Sequence, residues 1–270
     1  MSTVLILRPP MPRSGRCSRE NDTVNLAPTA IAVGLLVTLI TGLLLTRRIP
    51  QPLAPLWAIV RATLQLALLT LILSGIIADV RWVTVALVVM FGAAVYTVSR
   101  RIARTRRDIA LVAGSLAAGV ALPMLVAFLS GAVDLSGRYL LALGGIIIGG
   151  TMSVATLTGR HFREALVSRR DEVEAWLSLG ATPRQSVRDL GTRAVFNALV
   201  PTTDQTRTTG LVALPGTFVG SIFGGASVLE AGVFQIIVLT SILASGVIAA
   251  MLLSAGLGRS VRTLAISLDG

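Results

Sequence analysis

The residues best placed to do chemistry form one polar stretch, Glu174-Ala-Trp-Leu-Ser-Leu-Gly-Ala-Thr-Pro-Arg-Gln185. It holds no histidine or cysteine to activate a hydroxyl or build a metal cage, so the chemistry open to it is recognition. Gly180 suits the position just past a helix end, where a left-handed conformation is needed and a Cβ would clash. Two residues on, Thr182 can cap a new helix, Pro183 fits its first position, and Gln185 completes a capping box. Upstream, Phe162, Leu166, Val173, Trp176 and Leu177 recur at helical spacing, interleaved with Arg169, Arg170, Asp171, Glu172 and Glu174. The pattern predicts two amphipathic helices joined by a tight turn. Such a knuckle can press into a groove on another protein, or it can merely connect two membrane spans.

A second group is Arg61 with Gln65, four residues apart inside an apolar run and hence on one helix face. A central arginine costs ~2.5–3.5 kcal/mol on insertion scales, so it needs protein or water around it. Arg61 therefore either serves a path through the membrane or snorkels to the near interface, where Trp57 lies.

Other chemistries are closed. All 24 basic residues are Arg, so no Gly-x-x-x-x-Gly-Lys-Ser/Thr phosphate loop can exist here, and any ATP must be hydrolysed on another subunit. One cysteine, Cys17, and one histidine, His161, exclude a disulfide framework and a His/Cys metal cage within the chain. An intramembrane serine protease would need its histidine inside the membrane, and His161 belongs to a span end among arginines. The chain is therefore expected not to be an enzyme. The net charge of +11 falls mostly in short loops between apolar spans, an orientation signal rather than a nucleic-acid surface.

The elements that position these residues are membrane spans. Hydrophobic residues make up 53% of the 270, charged residues 14%, and mean hydropathy is +0.80. Apolar runs of the ~20 residues that cross a bilayer recur along the chain. The fold class is all-α and polytopic, with about seven transmembrane helices. They are expected near 27–46, 53–78, 82–99, 109–130, 139–158, 208–224 and 232–256. A cytoplasmic helix-turn-helix segment, 159–207, lies between the fifth and sixth. Pro123 should kink the fourth span. In the fifth, Gly145 and Gly149 form a GxxxG pair for close helix packing. In the sixth, Pro215-Gly216 breaks the helix, with Gly216, Gly220 and Gly224 recurring every fourth residue. A broken membrane helix needs buried protein or a wet cavity around it, which makes this span the best candidate for lining a path.

Arg100, Arg101, Arg104, Arg106 and Arg107 mark the inner side, and the expected outer loops hold only Arg81 and Arg138. The arrangement is N-terminus out and C-terminus cytoplasmic, in a bacterial inner membrane. Residues 1–23 read as a disordered extension whose apolar run, Val4 to Leu7, is too short for a signal peptide, and translation is expected to start near Val24. Residues 24–270 read as a single transmembrane domain.

The spacing Glu174-Ala-x-x-x-x-Gly180 resembles the EAA-type coupling loop of ABC-transporter membrane subunits. Read with Arg61-Ala-Thr-Leu-Gln65-Leu66, Leu177-Ser-Leu-Gly-Ala-Thr-Pro-Arg-Gln185, Pro201-Thr-Thr-Asp204, Gly210-Leu-Val-Ala-Leu-Pro-Gly216 and Gln235-Ile-Ile-Val238, the chain resembles the FetB/YbbM family, which includes plant STAR and ALS aluminium-tolerance proteins. The resemblance covers about residues 27–260 of the chain. It implies a permease subunit, working as a pair in the membrane with a separate ATPase that holds ATP and Mg²⁺, while this chain binds no cofactor. It implies export of iron or another metal or metal complex. By the same resemblance Glu174, Gly180, Ala181, Thr182, Pro183 and Gln185 contact the ATPase. Arg61, Gln65, Asp204, Pro215 and Gly216 match the family's other motifs, and with Gly145, Gly149 and Gly220 they form the expected path and packing set. No metal ligand is assigned. One departure concerns cargo: the family often has Gly-Asn-Ala-Met where this chain has Gly149-Gly-Thr-Met152. A free ferrous ion needs carboxylates, carbonyls or water, whereas a chelated or anionic substrate can use Arg61. The competing class is a secondary transporter or channel with no ATPase. Against it, the chain shows no clear internal repeat, and no Asp or Glu falls centrally in an expected span.

Overall fold

The computed structural model describes residues 26–48, 50–76, 80–103 and 105–259, so the extension expected at 1–23 lies outside the described residues. These residues are all α, with ten helices and one isolated bridge, Thr209 to Ala213. The helices are α1 (Leu26–Thr46), α2 (Ala54–Ile76), α3 (Val80–Ile102), α4 (Arg106–Leu129), α5 (Gly137–Ser168), α6 (Arg170–Ser178), α7 (Pro183–Ser186), α8 (Arg188–Thr208), α9 (Gly216–Phe223) and α10 (Val228–Leu257). Five carry stretches long and apolar enough to cross a membrane: Ala27–Thr46, Arg81–Ile102, Arg106–Leu129, Gly137–Ser168 and Val228–Leu257. A shorter apolar helical stretch covers Ala54–Thr70. The chain is a polytopic membrane protein.

Two compact units divide it, Met1–Ile72 and Leu73–Gly270. In the first, α1 and the described part of α2 leave their apolar side chains exposed, among them Leu35, Leu43, Leu64 and Leu68. Arg61 and Gln65 are exposed on α2.

In the second, α10 packs on α4, α5 and α8, and α5 also packs on α3. Val98, Leu116, Leu143, Ile147, Phe162 and Leu253 form the heart of this core. Small residues let the helices close. A Cβ on Gly119 of α4 would lie 2.8 Å from the Ser245 carbonyl oxygen and 3.0 Å from the Ala249 Cβ. Helix starts follow local chemistry. Thr105 and Asp108 make a reciprocal capping box for α4, and Ser227 and Glu230 do the same for α10. α4 runs on through Pro123.

α5 has 32 residues, about 48 Å at helical rise, well beyond the ~30 Å of a hydrocarbon core. Its last turns therefore project, where the sequence pattern ends the span at 158. The projection is tied down by Arg163. Its Nη1 donates to the Arg101 carbonyl at 3.1 Å and its Nη2 to the Ile102 carbonyl, satisfying carbonyls that the end of α3 leaves open. Arg163→Ala is expected to lower stability by about 1–3 kcal/mol, read as a lower unfolding temperature in detergent. Arg163→Lys should restore only part of it, because a lysine lacks the fork that reaches both carbonyls.

The sixth span departs from expectation. No continuous helix covers 208–224: α8 ends at Thr208, residues 209–215 are non-helical, and α9 has eight residues. The break at Pro215-Gly216 is real, but the helix preceding it is α8, which the sequence pattern assigns to the polar segment. The reason is composition: α8 carries charged and hydroxyl side chains along its length and does not register as apolar.

Candidate functional site

The polar knuckle is built as its residue types dictate. α6 closes in a Schellman turn: the Gly180 N–H donates to the Leu177 carbonyl at 3.0 Å and the Ala181 N–H to the Trp176 carbonyl at 3.0 Å. Gly180 has φ +87°, a conformation that a Cβ would oppose. Thr182 then caps α7. Its Oγ1 accepts from the Gln185 N–H at 3.4 Å while its own N–H donates to Gln185 Oε1 at 2.9 Å. Pro183 takes the first helical position. α7 is a single turn, so the second helix of the expected pair is in effect α8.

Glu174 is exposed and pairs with Arg170, Nε to Oε1 at 2.7 Å; Arg169 and Glu172 pair at 3.6 Å. The six knuckle residues named from the sequence lie together along this turn. Three of them, Gly180, Ala181 and Gln185, border a cleft of ≈ 560 Å³ whose lining also includes Glu172, Trp176, Arg188 and Asp189. Of the apolar set expected to face inward, Phe162, Leu166 and Val173 are buried. Trp176 is not. It is 51% exposed and Leu179 is 81% exposed, because the Schellman turn ends α6 with that side free. The knuckle therefore presents an indole and an isobutyl group on a charged surface, the composition of an interface anchor.

The path residues fall on four elements, α2, α5, α8 and α9 with its cap. Arg61 and Gln65 lie in the first unit. Within the second, Gly145 meets only the flexible end of Met90, at 3.1 Å from its would-be Cβ, and Gly149 faces open space. Close packing on α5 runs instead through Gly144 and Gly159. Asp204 is exposed on α8 and pairs with Arg207 at 3.6 Å. Pro215 caps the start of α9, and Gly216 and Gly220 border open space. α9 is held to α10 by Thr217, whose hydroxyl donates to the buried Gln235 Oε1. His161 Nδ1 lies 3.3 Å from Glu164 Oε2, and the nearby Ser168 hydroxyl donates to its own helix at Ala165. Among the described residues no three His, Cys, Asp or Glu side chains converge as a metal cage.

The family model of UPF0014, described as an uncharacterised protein family, matches residues 27–261. The chain belongs to the UPF0014 family. Three relatives set its neighbourhood. It is 32% identical to UPF0014 membrane protein STAR2 of Oryza sativa subsp. japonica, over 82% of this chain and 79% of that one. It is 30% identical to Protein ALUMINUM SENSITIVE 3 of Arabidopsis thaliana, over 73% and 72%. It is also 30% identical to the probable iron export permease protein FetB of Escherichia coli K12, over 81% and 83%. No solved structure gives a significant match. The family resemblance read from the motifs of this UPF0014 chain is thus shown over nearly all of its membrane part.

Sequence reasoning missed Arg163, which clamps α3 to α5, and the outward Trp176 and Leu179. Arginine near a helix end carries no signal of which carbonyl it will reach. Trp176 falls on the apolar period, and only the turn geometry frees it.

Proposed function

We propose that this chain is the membrane subunit of an ABC transporter that exports iron or another metal or metal complex, driven by a separate ATPase. The single observation that carries the reading is the knuckle: a Schellman turn at Gly180 and a capping box at Thr182 that hold Trp176 and Leu179 out on a charged surface. FetB of E. coli is named a probable iron export permease, which supports both transport and cargo. In this account Glu174, Gly180, Ala181, Thr182, Pro183 and Gln185 form the docking turn. ATP and Mg²⁺ sit on the partner, and this chain binds no cofactor of its own. Two copies work with two ATPase subunits in a bacterial inner membrane, N-terminus out and C-terminus and knuckle inside, as the arginine asymmetry favours. Closure of the ATPase pushes the knuckle. Since α5 and α8 both enter it, the push shifts the α5, α8 and α10 contacts between inward- and outward-open arrangements.

A second reading, an ion-coupled carrier without ATPase, gains from one observation. Asp204 lies on a helix packed between two apolar spans, so the lack of a central carboxylate no longer argues against it. ATP separates the two. In inverted vesicles holding the chain and its partner ATPase, ferrous iron uptake is expected only with hydrolysable ATP. Uptake that persists with the ATPase inactivated would overturn the proposal in favour of the carrier.

A further inference from the structure

α8 is a polar helix in an apolar place. Gly191 backs onto Phe162 of α5 and Ser254 of α10, and Leu199 lies beside Gly246 of α10 in the cluster that holds Val154 of α5. Eight residues forward on α8 are thus eight back on both neighbours, so the helix runs antiparallel along two membrane spans. Continued at equal rise, the register sets Asp204 level with about Gly149 and Ser241, near the middle of both. α9 resumes the crossing beyond the break, fixed to α10 through Thr217 and Gln235.

The two faces of α8 differ. Ala194 and Ala198 are buried against the neighbours, while Arg193, Asn197, Asp204, Arg207 and Thr208 are exposed. At its inner end this exposed stripe enters a cleft of ≈ 370 Å³ lined by His161, Glu164, Arg169, Arg193 and Asn197 among others. At its other end it reaches the non-helical residues 209–215. Lipid cannot solvate that row. A charged pair facing hydrocarbon is costly, and so are backbone groups released by a broken helix, unless water or protein meets them.

We propose that α8 and α9 form one interrupted membrane helix whose exposed stripe lines a water-filled path, with the Asp204 carboxylate holding a cation at mid-depth. Among the described residues Asp204 is the only acid at that level; the others lie in loops, in the knuckle or within the terminal turns of helices. Its pairing with Arg207 is loose, at 3.6 Å with both side chains more than half exposed. An entering cation can therefore take the place of the guanidinium, and backbone carbonyls of the adjacent break supply further hard oxygen donors. This inference rests on the transport reading only for the nature of the cargo. Water access needs no ATPase, so its failure and the failure of the ATP-driven reading are separable.

The test is thiol labelling in membrane vesicles, in a Cys17→Ser background that removes the one native cysteine. Asn197→Cys and Thr208→Cys are compared with Leu125→Cys, an exposed apolar position on α4, using a cationic and an anionic methanethiosulfonate reagent. Both α8 variants are expected to react at least about tenfold faster than Leu125→Cys, as groups in a hydrated cleft do. Adding Asp204→Asn to Thr208→Cys is expected to lower the preference for the cationic over the anionic reagent roughly tenfold, each rate moving about threefold in opposite directions for one charge at about 6 Å in water. Asp204→Glu should keep that preference. Labelling no faster than at Leu125→Cys would overturn the path, and an unchanged preference in Asp204→Asn would overturn the cation site.

Discussion

Gly180→Val is expected to abolish ATP-driven transport while leaving the chain folded in the membrane. The φ of +87° is one that an L residue adopts at a cost of about 1–2 kcal/mol. A Cβ there would meet nothing within 4 Å, so the penalty is conformational and confined to the turn. Relieving it means opening the Schellman bonds from Gly180 and Ala181, which re-aims Trp176 and Leu179. The membrane core, centred on residues such as Leu143, Ile147 and Leu253, is untouched. Unfolding temperature in detergent should therefore move little while transport fails. Gly180→Asn is the control: asparagine tolerates the left-handed region and should retain much of the activity. Equal loss in both variants would show that partner contact, not backbone shape, sets the requirement at this position.

The second large effect is on stability. Gly119→Val should destabilise the bundle by about 1–3 kcal/mol or prevent assembly, seen as a lower unfolding temperature or aggregation on extraction. The reason is what a side chain would meet. The Ser245 carbonyl at 2.8 Å belongs to backbone and cannot rotate away, and Ala249 and Thr151 close the remaining space at 3.0 and 3.2 Å. Gly149→Ala should be nearly silent, since its Cβ would enter open space. Equal destabilisation by the two would mean that α5 is covered at Gly149 in the membrane, as a second copy of the chain would do.

These contrasts indicate what was legible in the amino-acid order. Apolar runs of membrane length announced α1, α3, α4, α5 and α10, because the bilayer imposes a minimum length that composition alone reveals. The knuckle was legible almost bond by bond, since Gly180, Thr182, Pro183 and Gln185 act on their own neighbours and need no tertiary context. α8 was not. Its polar residues argue for a solvated segment, and only the structure sets it against α5 and α10, two apolar spans. The packing glycines are harder to place from sequence for a related reason. Gly145-x-x-x-Gly149 fits the motif, but which ridge of a helix meets its neighbour depends on helix rotation, and the contacts formed at Gly119, Gly144 and Gly159. Arg61 and Gln65 share a face by spacing alone, and their exposure on α2 adds no partner to that reading.

The measurement that tests the central claim most directly is recovery of the tagged chain from native membranes under mild extraction, with identification of what accompanies it. Beside it runs a variant carrying Gly180→Trp and Glu174→Arg, which distorts the turn and reverses the charge that Arg170 neutralises. The account predicts a phosphate-loop ATPase with the native chain and its loss from the variant. The same companions in both preparations, or no ATPase in either, would contradict it and reduce the knuckle to a connector between α5 and α8.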